Sequence, residues 1–221
     1  MELRPSRIIR SSRRTVALEI RGDATFVVRA PRWVSRSFID EFIVEKSAWL
    51  ERELSKAAEA RERLRRCYRT GERFAFLGFE YPLRVVPRGR TLKLETEFLL
   101  PARLRPRGQE CFERWYRREA KRYLTARVFE LADRHGYRPT GVKVTGARTN
   151  WGSCGPTGGL NFSWRLIMAP RFVVDYVVMH ELAHLSERNH SAAFWRRVQI
   201  MCPEWRTAKA WLVDEGRHLM F

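Results

Sequence analysis

The chain has 221 residues, of which 44% are hydrophobic and 12% aromatic, and this composition excludes an intrinsically disordered protein. No segment reaches the roughly 18 apolar residues of a membrane-spanning helix, and the N-terminus leads into no apolar signal-peptide core. The formal net charge of +18 permits nucleic acid, nucleotides or acidic proteins as partners.

The first part of the chain alternates apolar and polar residues in the manner of β-strands. Strands are predicted over residues 16–20, 25–29, 74–76, 81–86, 92–94 and 98–100. A helix is predicted over 35–66, with Phe38, Trp49 and Leu50 on its apolar face. The prolines and glycine at positions 101, 106 and 108 are typical of a linker. We therefore predict a strand-rich N-terminal region, 1–105, and a second domain, 106–221.

The second domain begins with a predicted helix over 110–135, followed by a strand at 142–144. A glycine-rich turn, 151–159, leads into a strand at 160–166 that alternates apolar and polar residues. This strand is expected to offer an exposed edge on which an extended substrate could be added as a further strand. Pro170 then starts a helix, because proline is favoured at the first helical position. The pattern as a whole predicts an α+β protein.

The helix after Pro170 contains the sequence His-Glu-Leu-Ala-His at positions 180–184. Histidines four residues apart lie on one face of a helix, so His180 and His184 can reach one Zn²⁺. The adjacent Glu181 can then act as general base toward a metal-bound water. The alternative is a pair of hydrogen-bonded core histidines, which the cost of burying two imidazoles and a carboxylate disfavours.

A third histidine, His190, follows within six residues of His184. A continuous helix would place it about 240° round the axis, away from the metal. The polar segment 187–189 is therefore predicted to turn, with Ser191 capping a new helix. His190 then becomes the third metal ligand, although a surface histidine on a turn is the alternative.

Other side chains complete the hypothesis of a metal-dependent hydrolase. Zn²⁺ is the expected metal, with Ni²⁺ or Mn²⁺ as alternatives. Arg165 and Tyr176 are candidates for the donor that stabilises an oxyanion, and Arg148 is a further candidate for substrate binding. Cys154 is predicted to be a packed thiol and not a nucleophile, because the available histidines are committed to metal. The four cysteines form no C-x-x-C pair and indicate reduced thiols of a cytoplasmic protein.

Several of these segments together resemble the YgjP-like metallopeptidase family, whose bacterial members are zincin-like proteins related to SprT. The resemblance is carried by Trp-Gly-Ser-Cys at 151–154, by 161–170, by the 180–185 motif, by Asn-His-Ser at 189–191 and by Phe-Trp at 194–195. It implies a minimal zincin-like domain of helix, short antiparallel sheet, H-E-x-x-H helix and C-terminal helices. It also implies His180, His184 and His190 as ligands and Glu181 as base. Relatives usually carry arginine where this chain has Asn150.

Three functions stay open at this point. The first is a zinc metallopeptidase that acts on proteins or peptides. The second is a metal-dependent hydrolase of nucleotides or phosphoanhydrides, with arginines binding the phosphates. The third is a basic DNA-associated module with a structural metal. Because 37 of the 43 basic residues are arginine and they are spread along the chain, a solvated surface is favoured over a dedicated nucleic-acid face.

Overall fold

The computed structural model describes residues 3–21, 23–63 and 66–219 and has the predicted α+β composition. The chain divides into two compact units, Met1–Arg66 and Cys67–Phe221. Among the described residues, no helix is both long and apolar enough to cross a membrane.

The first unit contains a three-stranded sheet and two helices. Its elements are β1 (Arg7–Ser11), β2 (Ala17–Ile20), β3 (Phe26–Pro31), α1 (Arg36–Glu45) and α2 (Ser47–Arg63). Strand β3 lies in the centre, parallel to β1 and antiparallel to β2. The single helix predicted over 35–66 is therefore two helices separated at Lys46, and residues 64 and 65 lie outside the described part.

The buried face of these two helices also differs from the prediction. Ile39, Ile43 and Leu50 pack with the strand residues Phe26 and Val28 in the core of the unit. The predicted face residues Phe38 and Trp49 are 50% and 41% exposed. The helices therefore contribute aliphatic side chains to the core of the unit, and the larger rings of Phe38 and Trp49 are partly exposed to solvent.

The second unit begins with a four-stranded sheet and a long helix. These are β4 (Arg73–Phe76), β5 (Phe79–Val86), β6 (Lys93–Leu94), β7 (Phe98–Pro101), a 3₁₀ helix (Ala102–Arg107) and α3 (Gly108–Arg134). The strand order is β4-β5-β7-β6, with β5 and β7 parallel. Tyr116 of α3 donates a hydrogen bond from its hydroxyl to the Ala75 carbonyl of β4 at 2.7 Å.

The division between the units lies at residues 66 and 67, whereas the sequence indicates residue 105. The physical reason is aromatic packing across the predicted linker. The rings of Phe74 and Phe112 stack with centroids 3.9 Å apart, and Phe98 meets Trp115 edge to face at 4.8 Å. Strands β4–β7 therefore share one hydrophobic core with α3.

A second sheet and three further helices follow α3. They are β8 (Gly141–Thr145), β9 (Gly152–Cys154), β10 (Gly159–Ser163), a 3₁₀ helix (Trp164–Met168), α4 (Arg171–Ala183), α5 (Ala192–Met201), α6 (Trp205–Asp214) and a 3₁₀ turn (Gly216–Leu219). The sheet is mixed and not antiparallel as expected, because β10 pairs parallel with β8 and antiparallel with β9. Strand β10 is central, and the two edges of the sheet are formed by β8 and β9. The exposed edge that the sequence assigns to the strand 160–166 is therefore not on that strand.

The start of α4 is held by the turn between β4 and β5. The amide of Leu77 donates to the Ile167 carbonyl at 2.8 Å, and Gly78 adopts a φ of +84°. A Cβ atom at Gly78 would lie 2.7 Å from the Cα of Pro170, so only glycine allows this approach. A salt bridge between Arg127 of α3 and Asp175 of α4, with nitrogen–oxygen distances of 2.6 and 2.7 Å, fixes the same helix from another side.

Candidate metal centre

Helix α4 brings His180 and His184 together at its C-terminal end. Their ring centroids are 5.0 Å apart, as expected for side chains one helical turn from each other. Helix α4 ends at Ala183, and the amides of Ser186 and Glu187 both donate to its carbonyl. The chain therefore continues in a turn through Ser186 and departs from the helix after it.

His190 lies on the predicted turn and faces the other two histidines. Its Nε2 is 3.1 Å from the Nε2 of His180, and its ring centroid is 4.8 Å from that of His184. The hydroxyl of Ser191 accepts a hydrogen bond from the Phe194 amide and caps α5, which confirms the predicted helix start. One nitrogen atom of each histidine lies within 4.8 Å of the others, a group that could hold a metal ion.

The state of the three rings suits a metal. The Nδ1 of His184 is 2.9 Å from the Glu187 carbonyl, which can only accept, so Nδ1 donates this hydrogen bond and Nε2 is the nitrogen left for a metal. Burial, followed by the charges of His184 and His190, lowers the pKa of His180 to about 3. Burial also lowers the pKa of His190. Neutral imidazoles are the form that binds a metal, and the buried Nδ1 of His180 has no hydrogen-bond partner among the residues that the structure describes.

Aromatic side chains of α5 support the rings. Phe194 is fully buried and stacks on His184 with centroids 4.5 Å apart. Trp195 stacks on His190 at 5.8 Å and also on Trp205 at 4.4 Å. These contacts restrict rotation of the imidazoles, so the histidines are preorganised for a common ligand.

Glu181 is 6% exposed and lies on α4 between the two histidines. Burial raises the pKa of its carboxyl to about 7. Gly152 of β9 lies directly against it, because a Cβ atom at this position would be 2.6 Å from the Glu181 Oε1. The side-chain amide of Asn150, which stands where relatives usually have arginine, donates to the Gly152 carbonyl at 3.1 Å.

Gly152 and Lys209 are site residues that the sequence did not predict. Gly152 lies in a segment that the sequence indicates only as a glycine-rich turn. Lys209 comes from α6, and its ammonium nitrogen lies 5.1 Å from the centre of the Trp195 ring. Its positive charge contributes to the lowered pKa values of His180 and His190. No local pattern could identify Lys209, because folding alone brings α6 to the histidines.

The remaining predicted residues lie in different surroundings. Tyr176 is 5% exposed with its ring 5.9 Å from that of His180, and burial raises its pKa to about 12. Arg165 is buried in the 3₁₀ helix after β10, and Arg148 is exposed on the loop after β8. Burial raises the pKa of the Cys154 thiol, in agreement with a non-nucleophilic cysteine.

Paired histidines on a helix, a third histidine on the following turn and a buried glutamate beside them define the class of metal-dependent hydrolases. The family model for the YgjP-like metallopeptidase domain matches residues 14–215. The chain therefore belongs to the YgjP-like metallopeptidase family, as the sequence resemblance predicts, and this membership implies a divalent metal.

Among solved structures, the chain is similar to the metallopeptidase zymogen of Pyrococcus abyssi, abylysin. The two share 20% sequence identity with a TM-score of 0.40, and the similarity covers 42% of this chain and 95% of that chain. The search among curated proteins found no match.

Proposed function

We propose that the protein is a zinc metallopeptidase in which His180, His184 and His190 hold Zn²⁺ and Glu181 is the general base. The observation that carries this proposal is the convergence of three imidazoles beside a buried carboxyl group. Three nitrogen ligands with an open fourth position are typical of catalytic zinc sites. When bound, the metal would lower the pKa of a water molecule and polarise a carbonyl group.

The chain's own residues supply the rest of the chemistry. The buried Glu181 carboxylate beside the histidines can accept a proton from a metal-bound water and later return it to a leaving amine, as a general base of this kind must do. Gly152 leaves the space that the Glu181 carboxylate occupies, because a side chain at this position would clash with it. We propose a protein or peptide as the substrate because the family is a metallopeptidase family.

We also propose a cytoplasmic location on the basis of the cysteines. Cys67, Cys111, Cys154 and Cys202 are all free thiols, as the sequence indicates. Thiols in this state are typical of a reducing compartment.

The first test is metal content per chain, measured by plasma mass spectrometry for the wild-type protein and for His190→Ala. We expect about one tightly held divalent ion in the wild type and a large loss in the variant, because two imidazoles hold zinc far more weakly than three. His135→Ala is the matched control, since this histidine lies outside the cluster. A wild-type protein that binds no zinc, nickel or manganese contradicts the proposal.

The second test separates the three functions. Glu181→Gln should retain the metal and lose turnover of an unfolded protein substrate, because an amide cannot accept the proton. Parallel assays on nucleoside triphosphates distinguish a peptidase from a phosphoanhydride hydrolase. Binding of DNA with a steep salt dependence and no hydrolysis would indicate the basic module instead. A fully active Glu181→Gln variant would refute the role of Glu181.

A further inference from the structure

A buried arginine lies at the loop that connects β8 to β9. Arg165 is 4% exposed, and its Nη1 donates to the Gly146 carbonyl at 3.2 Å. Its Nε is buried and has no hydrogen-bond partner in the part of the chain that the structure describes. A buried guanidinium is costly unless its N–H groups and its charge are satisfied. Arg165 therefore requires an explanation beyond packing.

A second guanidinium approaches the same place from α3. The guanidinium groups of Arg165 and Arg117 lie 4.3 and 5.8 Å from the centre of the Trp164 ring. A Cβ atom at Gly146 would be 2.9 Å from the Nη2 of Arg117, so both arginines reach Gly146. The absence of a side chain at Gly146 thus allows two like charges to face one short segment of backbone.

Arg148 adds a third positive charge two residues further along this loop. Burial lowers the pKa of Arg165, and the charges of Arg148 and Arg117 act in the same direction. Glu113 accepts hydrogen bonds from Arg117 at 2.7 and 2.8 Å. Among the residues that the structure describes, no carboxylate forms an ion pair with Arg148 or Arg165. The group therefore has three guanidinium groups and one carboxylate.

This group is connected to the candidate metal centre through a well-fixed loop. Ser163 is buried; its hydroxyl donates to the Ala147 carbonyl at 2.8 Å and its amide to the Trp151 carbonyl at 2.9 Å. The loop ends at Gly152, which lies against Glu181. Arg148 precedes Gly152 by four residues, so their Cα atoms are at most about 14 Å apart. A substrate of a few residues can span this distance.

We propose that Arg117, Arg148 and Arg165 form an anion-binding subsite that takes a carboxylate or phosphate group of the substrate. Guanidinium groups bind both kinds of anion through charge-assisted, often bidentate, hydrogen bonds. The excess positive charge and the unpartnered N–H of Arg165 are what such an anion would satisfy. The role in substrate binding rests on the proposed hydrolase function, but anion binding itself can be measured without turnover.

The test is isothermal titration of the full-length, zinc-loaded protein with inorganic phosphate and, separately, with acetate, at low chloride concentration. Arg148→Gln, Arg117→Gln and Arg165→Met each remove one positive charge of the group. Arg118→Gln is the matched control, because this exposed arginine of the same helix pairs with Glu119. Unfolding curves identify any variant that fails to fold. If Arg165→Met fails to fold, Arg148→Gln still tests the proposal, because Arg148 is exposed and its replacement does not disturb the core.

We expect saturable binding of at least one of the two anions, weakened about tenfold or more in Arg148→Gln and in Arg165→Met and unchanged in Arg118→Gln. The anion that binds more tightly identifies the group that the substrate carries. Absence of saturable binding up to about 10 mM, or equal affinity in all variants, overturns the subsite.

The outcomes also separate this inference from the proposed function. Peptide hydrolysis that depends on Glu181, in a protein that binds neither anion, refutes the subsite and leaves the peptidase intact. Anion binding with the expected mutant pattern, in a protein that hydrolyses no peptide, supports the subsite and contradicts the peptidase.

Discussion

Replacing Gly152 by alanine should destabilise the protein chiefly through a clash of the new methyl group with the Glu181 side chain. The added Cβ would lie 2.6 Å from Oε1, 2.7 Å from Cγ and 2.9 Å from Cδ of Glu181. Non-bonded heavy atoms prefer about 3.5 Å, so the glutamate must move by about 0.5–1 Å. Overpacking of this kind costs about 1–3 kcal/mol of unfolding free energy.

A double-mutant cycle isolates this contact. All three close atoms belong to Glu181 and lie beyond its Cβ, so Glu181→Ala removes every one of them. We expect Gly152→Ala to cost about 1–3 kcal/mol in the wild-type background and nothing, or a slight gain, in the Glu181→Ala background. Urea unfolding of the metal-free protein in the presence of a chelator measures all four forms.

Gly141→Ala is the matched control, because a Cβ atom at this strand position meets nothing within 4 Å. The reasoning is refuted if Gly152→Ala costs the same free energy in both backgrounds. In the metal-loaded protein we expect the same substitution to preserve metal content and to lower kcat by up to about a hundredfold, because it displaces the proposed base.

Two further predictions concern the stability of the second unit. In the metal-free protein, the Glu181 pKa of about 7 exceeds its ordinary value of 4.5. Between these two pH values the folded state holds a proton that the unfolded state has released. The free energy of unfolding of the wild type therefore falls as the pH rises through this interval. Glu181→Gln lacks this loss, so its free energy of unfolding should exceed that of the wild type by about zero near pH 4.5 and by about 3 kcal/mol above pH 7. Urea unfolding at several pH values measures this difference, and a difference that stays constant with pH contradicts the prediction. Asp175→Asn breaks the paired hydrogen bonds from Arg127, whose side chain is 22% exposed, and should cost about 1–3 kcal/mol of unfolding free energy. The exposed Arg107–Glu110 pair gives the control, because Glu110→Gln should cost less than about 1 kcal/mol, and equal losses in the two variants would show that burial does not matter.

The histidine cluster could be predicted because its residues are local in sequence. The spacing of His180 and His184 fixes a shared helix face, and the polar segment before Ser191 indicates the turn that brings His190 back. The unit boundary could not be predicted, since prolines in a linker and at the end of a strand look alike in sequence. The stacking of Phe74 on Phe112, which joins the two sides of that predicted boundary, is a long-range contact.

The group of arginines around the loop between β8 and β9 could not be predicted from the sequence either. Arg117, Gly146 and Arg165 come from a helix, a loop and a 3₁₀ helix that only tertiary packing brings together. The sequence named Arg148 and Arg165 separately as substrate-binding candidates, and the structure places both around one loop. The pairing of β10 on both sides was also missed, because alternation of apolar residues identifies a strand but not its neighbours.

The contact of Gly78 with Pro170 limits how far this protein could be shortened. Helix α4 and its C-terminal cap carry two of the three histidines, and the residue before its first turn, Pro170, is held by a hairpin that precedes it by about ninety positions in the chain. A fragment of residues 106–221 would contain every histidine of the cluster, yet it would lack that hairpin and the aromatic partners of α3. A chain shortened beyond Cys67 would therefore keep the histidine motif but lose contacts that position the helix carrying it.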